Sequence, residues 1–389
     1  MATLGKNSRC LAAFCTLVAL TLSSCLRDGI NTIILDNGGK KNIPSDAQAT
    51  PNPSIDNQTT NIPNFQHQGG EESGYYIVRL DMTGIQNPKT YEWIRLVGTG
   101  GENGMKQNVW LSVDGDPKGI SVHNTIDDYT ELPEVKNDVI FLIDNSGSMS
   151  DEANAIARDI VAWSQKLNSD RSVQFGAVGY DGSIRGGIDL TGFQQLSDWL
   201  NRSTGVNRTI GFAGSNATTL SSRASNYNVS TTQMESGVAA LRFADENYTF
   251  RYGANRIYIN FTDESNYTGG YSKYSVSYLN SSSWDASKGT VHTVFSDSKS
   301  SVSVSTNYEY PWLMSQYTGG TVLYTNSSFT GVTLDDLPIT SAIQNSYIIR
   351  FIISSALLDG ASHKVRITVN TEDNAVCADK TFSVVFGNK

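Results

Sequence analysis

The residues best suited to chemistry lie in one stretch, DVIFLIDNSGSMS at 138–150. Its apolar run, 139–143, predicts a strand buried on both faces of a parallel sheet. Asp144, Ser146 and Ser148 follow at the carboxyl end, which is where open α/β sheets bind ligands. One carboxylate and two hydroxyls are hard oxygen ligands, suited to Mg²⁺ and not to a soft metal. Asp and Ser also begin helices as N-caps, so an N-capped helix start is the alternative interpretation.

Two later segments supply matching oxygen groups. Thr232 stands at the start of TQMESGVAALRFA, which predicts a helix. Asp263 stands in RIYINFTDES, again at the carboxyl end of an apolar strand.

This order of motifs resembles the von Willebrand factor type A domain with its metal-ion-dependent adhesion site. The family motif is DxSxS, then a Thr, then an Asp at a strand end, often written TD. The resemblance covers roughly residues 137–345 and implies a metal site with the following members: Asp144, Ser146, Ser148, Thr232 and Asp263. The family often has a second Thr two residues after the first, where this chain has Met234. Thr231 therefore stays open as the alternative to Thr232.

The resemblance also implies how such a site works. Ser146, Ser148 and Thr232 would contact Mg²⁺ directly, whereas Asp144 and Asp263 would act through bound water. Mn²⁺ or Ca²⁺ could replace Mg²⁺. An open coordination position would remain for an Asp or Glu carboxylate of a partner protein, which completes the charge balance. The implied role is binding, and no enzymatic activity is expected.

The first residues, 1–25, predict a lipoprotein signal peptide. Lys6 and Arg9 give a basic start, and the apolar stretch 11–22 is too short to span a membrane. The segment ends in Leu-Ser-Ser-Cys and resembles the bacterial lipoprotein signal in which Cys25 is lipidated; an ordinary secretory signal is the alternative. Acyl chains such as palmitate would hold the protein on the membrane. We expect a lipid-anchored protein of the bacterial cell envelope, at the outer membrane.

The rest of the chain divides by composition. Residues 26–74 are rich in Asn, Gly, Pro, Ser and Gln and predict a flexible tether. Segments 75–136 and 346–389 contain short alternating runs typical of β-strands. Between them, 137–345 alternates strands and helices, which predicts a Rossmann-like, doubly wound, mostly parallel sheet. We favour its insertion into a small antiparallel β-sandwich built from both flanks, since a few strands alone bury little surface. Two independent β modules are the alternative.

Composition excludes several classes of protein. With 29 basic and 38 acidic residues the formal charge is -9, and without a basic cluster nucleic acid is not expected as a partner. No Walker loop or GxGxxG is present, which excludes the common nucleotide-binding motifs, and no GxSxG elbow frames Ser146. The Asp114-Gly-Asp116-Pro segment lacks the further ligands of a calcium loop and predicts a hairpin turn.

Two loops near the predicted metal have the composition of recognition surfaces. The first follows Asp263 and contains spaced tyrosines among Ser, Gly and Asn, a mixture typical of paratopes. We expect its tyrosines to contact a partner: Tyr267, Tyr271, Tyr274 and Tyr278. The second, about 201–230, predicts a long irregular loop that is either functional or ordinary solvated surface.

The predicted function is therefore metal-dependent adhesion by a membrane-anchored envelope protein, through a protein ligand with an exposed Asp or Glu. The alternative is a structural or anchoring subunit of a fimbrial, gliding or other envelope assembly.

Overall fold

The computed structural model describes residues 43–59, 64–72, 75–81, 94–124, 136–170, 173–230, 234–251, 254–281, 283–284, 288–344, 346–371 and 376–386. The signal peptide, Cys25, Thr231 and Thr232 lie outside these ranges, so the predictions made for them stay predictions. In the parts of the chain that are described, no helix is long and apolar enough to cross a membrane.

The strands within these ranges are β1 (Asn64–Glu72), β2 (Tyr75–Asp81), β3 (Val109–Val113), β4 (Asp116–Pro117), β5 (Ile120–Asn124), β6 (Asn137–Asp144), β7 (Val173–Tyr180), β8 (Ile184–Thr191), β9 (Gly211–Ala213), β10 (Asn255–Thr262), β11 (Asn266–Tyr267), β12 (Thr290–Phe295), β13 (Tyr308–Glu309), β14 (Val322–Tyr324), β15 (Ser346–Ile352), β16 (Ser362–Asn370) and β17 (Cys377–Val385). The α-helices are α1 (Ala153–Asp170), α2 (Phe193–Asn201), α3 (Ala217–Ala224), α4 (Gly237–Asn247), α5 (Leu313–Thr318) and α6 (Ile339–Gln344).

The largest sheet has seven strands in the order β14-β12-β10-β6-β7-β8-β9. Its pairs are parallel except β7 with β8, so the sheet is mostly parallel and the predicted α/β class is confirmed. The central strand β6 is buried along its whole length. Phe141 packs into a core with α1 and α2, whereas Leu142 packs into a second core with α3 and α4. Alternate residues of β6 thus face opposite helical layers, which explains why its sequence is apolar without interruption.

The flanks of the α/β region form two four-stranded antiparallel sheets, ordered β1-β2-β15-β5 and β17-β16-β3-β4. Strand β15 comes after the α/β region, yet it pairs with β2 on one side and β5 on the other, both of which come before it. Strand β16 pairs in the same way with β3. One apolar core joins the two sheets and contains Val109, Ile349 and Val365. The two flanks therefore share their sheets and their core, as an inserted α/β region requires.

Part of the predicted tether packs on this sandwich. Residues 43–59 run along it. The Asp46 carboxylate accepts from the backbone N–H of Gly119 at 3.0 Å, and the Trp110 indole donates to the Thr50 hydroxyl at 3.0 Å. Strand β1 also falls within the tether as predicted from composition. The stretch 26–74, predicted as a tether, thus contains one segment, 43–59, with side chains that pair with the sandwich, and one strand, β1, that pairs with β2.

Candidate functional site

The candidate site lies where the connectivity of the large sheet reverses direction. From β6 the chain proceeds to β7 on one side, and β10 later pairs on the other side of β6. Both β7 and β10 run parallel to β6, so the carboxyl ends of β6 and β10 lie side by side. At such a switch point the following loops diverge and leave a crevice in which open α/β sheets bind ligands.

Asp144 ends β6 and is held by hydrogen bonds on both carboxylate oxygens. Its Oδ1 accepts from the backbone N–H of Ser146 at 2.9 Å, and its Oδ2 accepts from the Thr262 hydroxyl at 2.7 Å. Thr262 is the last residue of β10, so this bond joins the two strands across the switch point. Asp144 is only 1% exposed. One bond from its own turn and one from the neighbouring strand thus hold the buried carboxylate in place at the switch point.

The two serines of DxSxS continue the site toward solvent. The hydroxyl oxygens of Ser146 and Ser148 lie 2.9 Å apart, and the Ser148 hydroxyl donates to Asp263 Oδ1 at 3.1 Å. Ser146 is buried, Asp263 is partly buried and Ser148 is exposed. The structure therefore brings four of the five predicted site residues together.

The fifth predicted residue, Thr232, is outside the described residues, and so is its alternative Thr231. Shortly after it α4 begins, and the Ser236 hydroxyl caps the first turn of this helix by accepting from the backbone N–H of Ala239 at 3.4 Å. Glu235 lies in the same segment and is close enough to Asp144 for its negative charge to raise the pKa of Asp144. The segment that follows Thr232 thus belongs to the same crevice.

The crevice holds several carboxylates that repel one another. Burial, and then the charge of Glu235, raises the pKa of Asp144 well above its usual range, with a further contribution from Asp263. Burial also raises the pKa of Glu235 to about 7, and the neighbouring carboxylates Glu264, Asp263 and Asp181 add to this effect. A buried carboxylate beside other carboxylates favours its neutral form unless a cation is supplied. The geometry is therefore one in which a cation stabilises the charged groups.

Sequence reasoning missed two acidic residues of this region. Glu235 follows the predicted Thr ligand by three positions, and only its short distance from that residue could have drawn attention to it. Glu152 is fully buried just before α1, and its Oε1 accepts from the Ser296 hydroxyl at 2.6 Å. Burial raises the pKa of Glu152 to about 6. No spacing rule predicts Glu152, because its partner comes from the end of a different strand, β12.

The donor atoms fit a hard divalent cation such as Mg²⁺. These contacts join two carboxylates (Asp144, Asp263) and three hydroxyls (Ser146, Ser148, Thr262), all with oxygen atoms, and no sulfur or imidazole takes part in them. The described part of the chain contains no group of three or more His, Cys, Asp or Glu side chains arranged to hold a metal ion. A site here would consequently rely on hydroxyls as well as carboxylates.

The tyrosine-rich loop leaves the same edge of the sheet, but its four tyrosines differ in exposure. Tyr271 is 54% exposed, whereas Tyr274 is 1% exposed and donates its hydroxyl to the backbone oxygen of Asn226 at 3.0 Å. Tyr267 and Tyr278 are partly buried. The expectation that Tyr274 presents its ring to a partner is wrong, because the ring packs into the core beside α4.

Glu309 of β13 anchors this loop. Its carboxylate accepts from the Asn266 amide at 3.0 Å, from the Ser275 hydroxyl at 2.5 Å and from the backbone N–H of Val276 at 2.7 Å. Strands β11 and β13 also pair with each other. The loop after β10 and the loop after β12 are thereby joined into one surface at the carboxyl edge of the sheet.

Comparisons with known proteins leave the family of this chain open. No family model matches it, and no curated protein matches it. Among solved structures, the adhesive tip pilin GBS104 from Group B Streptococcus agalactiae is similar at a TM-score of 0.24 and 16% identity, over 37% of this chain and 53% of that one. The pilus adhesin RrgA from Streptococcus pneumoniae gives 0.24 and 16%, over 56% and 32%. The human COPII-coat protein Sec24c gives 0.31 and 8%, over 86% and 61%. At these TM-scores the likenesses support no conclusion about function, and the chain spans less than two thirds of each of these structures.

Proposed function

We propose that this chain is a type A domain protein that binds a partner protein through a divalent cation held at the ends of β6 and β10. The observation that carries the proposal is the continuous set of oxygens at the switch point. Asp144 is joined to Thr262, and Ser146 is joined through Ser148 to Asp263. The strand order, with one antiparallel strand beside β7, is also what we expect of a type A domain.

Each residue has a separate part in this proposal. The hydroxyls of Ser146, Ser148 and Thr232 would hold Mg²⁺, with Mn²⁺ or Ca²⁺ as substitutes. Asp144 and Asp263 would orient these hydroxyls and balance the charge of the ion. A bound ion would supply an open coordination position for a partner carboxylate. The hydrogen bond from Thr262 keeps Asp144 in place while the ion exchanges, because the strand end cannot move without disrupting β10.

The setting of the domain is also part of the proposal. Cys25 would carry the lipid, the chain up to residue 42 would connect the anchor to the sandwich, and the protein would act at the outer membrane of a bacterial envelope. Mass spectrometry of the native protein is expected to find an acylated amino terminus at Cys25. A mature amino terminus at another residue, without acyl mass, would contradict the anchored setting but not the metal site.

The metal site is tested by a pair of matched variants within one turn of helix. Ser148 and Ser150 are both exposed and belong to the same short 3₁₀-helix, but only Ser148 contacts Ser146 and Asp263 in the contacts described above. In calorimetric titration with Mg²⁺, Ser148→Ala is expected to weaken binding at least tenfold, whereas Ser150→Ala keeps the affinity of the parent. Equal affinities for the two variants would exclude Ser148 as a ligand.

Partner binding needs a separate measurement. The parent protein and Ser148→Ala, immobilised in parallel, are exposed to envelope proteins in Mg²⁺ and eluted with EDTA. A protein recovered from the parent alone, whose binding is lost when its surface carboxylates are amidated, is the expected result. If the same proteins bind in EDTA, the metal has no part in their recognition.

A further inference from the structure

A second feature of the carboxyl edge is a cluster of aromatic rings outside the tyrosine-rich loop. The rings of Tyr310 and Trp312 are stacked, with centroids 4.8 Å apart and planes inclined by 19°. Phe295 and Tyr324 contact Trp312 edge-on, at 5.3 Å and 5.9 Å. Offset and edge-on arrangements are the favoured geometries of aromatic pairs, so each ring fixes the orientation of the next.

The backbone holds this aromatic cluster in place. Pro311 lies between Tyr310 and Trp312 and is buried, and its ring fixes the backbone angle φ at that position. Trp312 is the N-cap residue of α5, and the backbone N–H of Leu313 bonds to the Tyr310 oxygen at 3.2 Å. Tyr324 ends β14 directly beside Phe295, which ends β12. The rings therefore lose little conformational entropy when a ligand binds to them.

Two of these rings are open to solvent. Tyr310 is 40% exposed and Tyr324 is 36% exposed, whereas Trp312 beneath them is 9% exposed. Buried Trp312 acts as the support, and the two tyrosines form the accessible surface. Single exposed aromatic residues are ordinary, but two of them supported by a common buried ring make a prepared binding surface.

The chemistry around the rings narrows the class of ligand. The stretches that flank them in sequence, 296–309 and 325–330, are rich in Ser, Thr and Asn, and their charged residues are Asp297, Lys299 and Glu309. The Glu309 carboxylate is already bonded within the tyrosine-rich loop. The Lys299 ammonium lies 3.7 Å from the centre of the Tyr324 ring. The ammonium covers one face of that ring, so a ligand that stacks on this face of Tyr324 has to displace the flexible, exposed Lys299 side chain, and a cationic ligand would in addition be repelled by its charge. A polyanion would be opposed by the formal charge of -9 and by the carboxylates at the same edge of the sheet.

We propose that Tyr310, Trp312 and Tyr324 form a platform that binds a neutral saccharide. The apolar C–H face of a pyranose ring packs on an exposed aromatic face, and its hydroxyls pair with hydroxyl and amide groups such as those of the flanking stretches. The platform lies at the carboxyl edge, since Phe295 and Tyr324 both end strands there. A glycan chain on a surface or on a glycosylated partner would thus be held at the same edge of the sheet as the proposed metal site. The inference goes beyond the proposed function and does not depend on it.

The test uses native gel electrophoresis of the purified full-length protein in mild detergent. The gels contain one of three neutral polysaccharides (dextran, laminarin or mannan) or the polyanion alginate, and each gel is run with Mg²⁺ and with EDTA. The parent is expected to be retarded by at least one neutral polysaccharide, equally in Mg²⁺ and in EDTA. Tyr310→Ala and Tyr324→Ala are expected to weaken this retardation at least tenfold, while Tyr310→Phe retains it because the ring face remains.

Tyr317 provides the matched control. It is a tyrosine of α5 with 39% exposure, close to that of Tyr310, but it is not a member of the stacked set. Tyr317→Ala should migrate like the parent in every gel. Absence of retardation in all neutral gels, retardation by alginate alone, or equal loss in Tyr317→Ala would each overturn the proposal. Retardation that disappears in EDTA would assign saccharide binding to the metal site and would also overturn it.

Discussion

Two groups of carboxylates in this molecule have opposite surroundings. At the end of the sandwich, Asp114 and Asp359 each contact one ring nitrogen of His363, at 2.7 Å and 3.1 Å. Hydrogen bonds from the Lys364 backbone and then from His363 lower the pKa of Asp114. At the switch point of the α/β sheet, burial and neighbouring carboxylates instead raise the pKa of Asp144. The aspartates of the sandwich thus share a histidine partner, whereas Asp144 in the α/β sheet lies near the carboxylates of Glu235 and Asp263.

This difference separates a structural cluster from a binding site. The group of Asp114, Asp359 and His363 (the His363 cluster) joins the β3–β4 hairpin to the loop before β16 and contains a histidine that can take up a positive charge. The group formed by Asp144, Thr262, Ser146, Ser148 and Asp263 (the Asp144 cluster) joins β6 to β10. The proposed cation would supply the positive charge that its contacts described above do not provide. Counting acidic residues does not distinguish the two regions. What matters is whether folding supplies each carboxylate with a partner of opposite charge.

The largest expected effect is the loss of metal-dependent stability on changing Asp144→Asn. A ligand at a hundredfold excess over its Kd stabilises a folded protein by about 2.7 kcal/mol. We expect the parent to gain this amount in Mg²⁺, as measured by urea unfolding, and the variant to gain nothing. Asp189→Asn serves as the control, since Asp189 is a buried carboxylate that accepts from Thr249 and Asn216 away from the switch point. It should keep the full response to Mg²⁺, and a response in Asp144→Asn would contradict the proposed site.

The next effect concerns pH and the His363 cluster. The hydrogen bond to Asp114 is the largest of the influences that raise the pKa of His363. A histidine with a raised pKa binds more protons when folded, so its stabilising contribution is present below the unfolded pKa of about 6.5 and is lost as pH rises through the folded value. His363→Gln should remove this fall in stability, which is at most about 1 kcal/mol because both carboxylate partners are about half exposed to solvent.

His292 gives the control of opposite sign. It is buried, and burial lowers its pKa to about 4. As pH falls below about 6.5, the unfolded residue binds a proton while the folded residue stays neutral down to a lower pH. The free energy of unfolding therefore decreases as pH falls through this range. Unfolding measured from pH 4 to 9 should show the loss above about pH 6.5 disappear in His363→Gln, while the loss on the acid side remains. A loss above pH 6.5 that persists in the variant would remove His363 as its source.

A smaller effect is expected for Glu235→Gln. The change removes one negative charge near the proposed cation. In a solvent-accessible crevice this weakens the attraction between protein and cation by up to about 1 kcal/mol, which raises the Kd for Mg²⁺ about two- to fivefold. The change should shrink in 0.5 M salt, which is the mark of a charge acting through space. If the affinity falls as far as in Ser148→Ala, Glu235 is a direct ligand and the proposed assignment needs to be extended.

The smallest effect is expected for Asp116→Asn in the β3–β4 hairpin. Asp116 is exposed, and the hairpin is formed by Asp114 with its positive φ of 52° and by Gly115. The change should alter the free energy of unfolding by less than about 0.5 kcal/mol. It should leave Ca²⁺ and Mg²⁺ titrations unaltered. A lost Ca²⁺ signal would mean that this turn binds metal after all.

Two polar segments of the chain are more ordered than their composition predicts, and for the same physical reason. Residues 201–230 were predicted as an irregular loop because Ser, Asn, Thr and Gly predominate, yet they contain β9 and α3. The buried face of α3 needs only Leu220 and Ala224, too few apolar residues to produce a periodic pattern. Residues 43–59 looked like a tether for the same reason. In both segments, polar side chains contact distant parts of the chain and stabilise the observed structure. Composition alone gives no information about such long-range contacts.

The sequence by itself determined the local parts of this protein: the doubly buried β6, the motif at its carboxyl end, the hairpin at Asp114, and the alternation of strands and helices. These follow from periodicity and turn chemistry, which act over a few residues. Only the tertiary structure determined which distant residues contact one another and which side chains are buried. It paired β15 with β2 and β5, placed Tyr274 in the core and Tyr271 at the surface, and set Glu235 near Asp144. Burial and the distance between charges depend on residues far apart in the chain, so the electrostatics of the site could not be obtained from the spacing of its members.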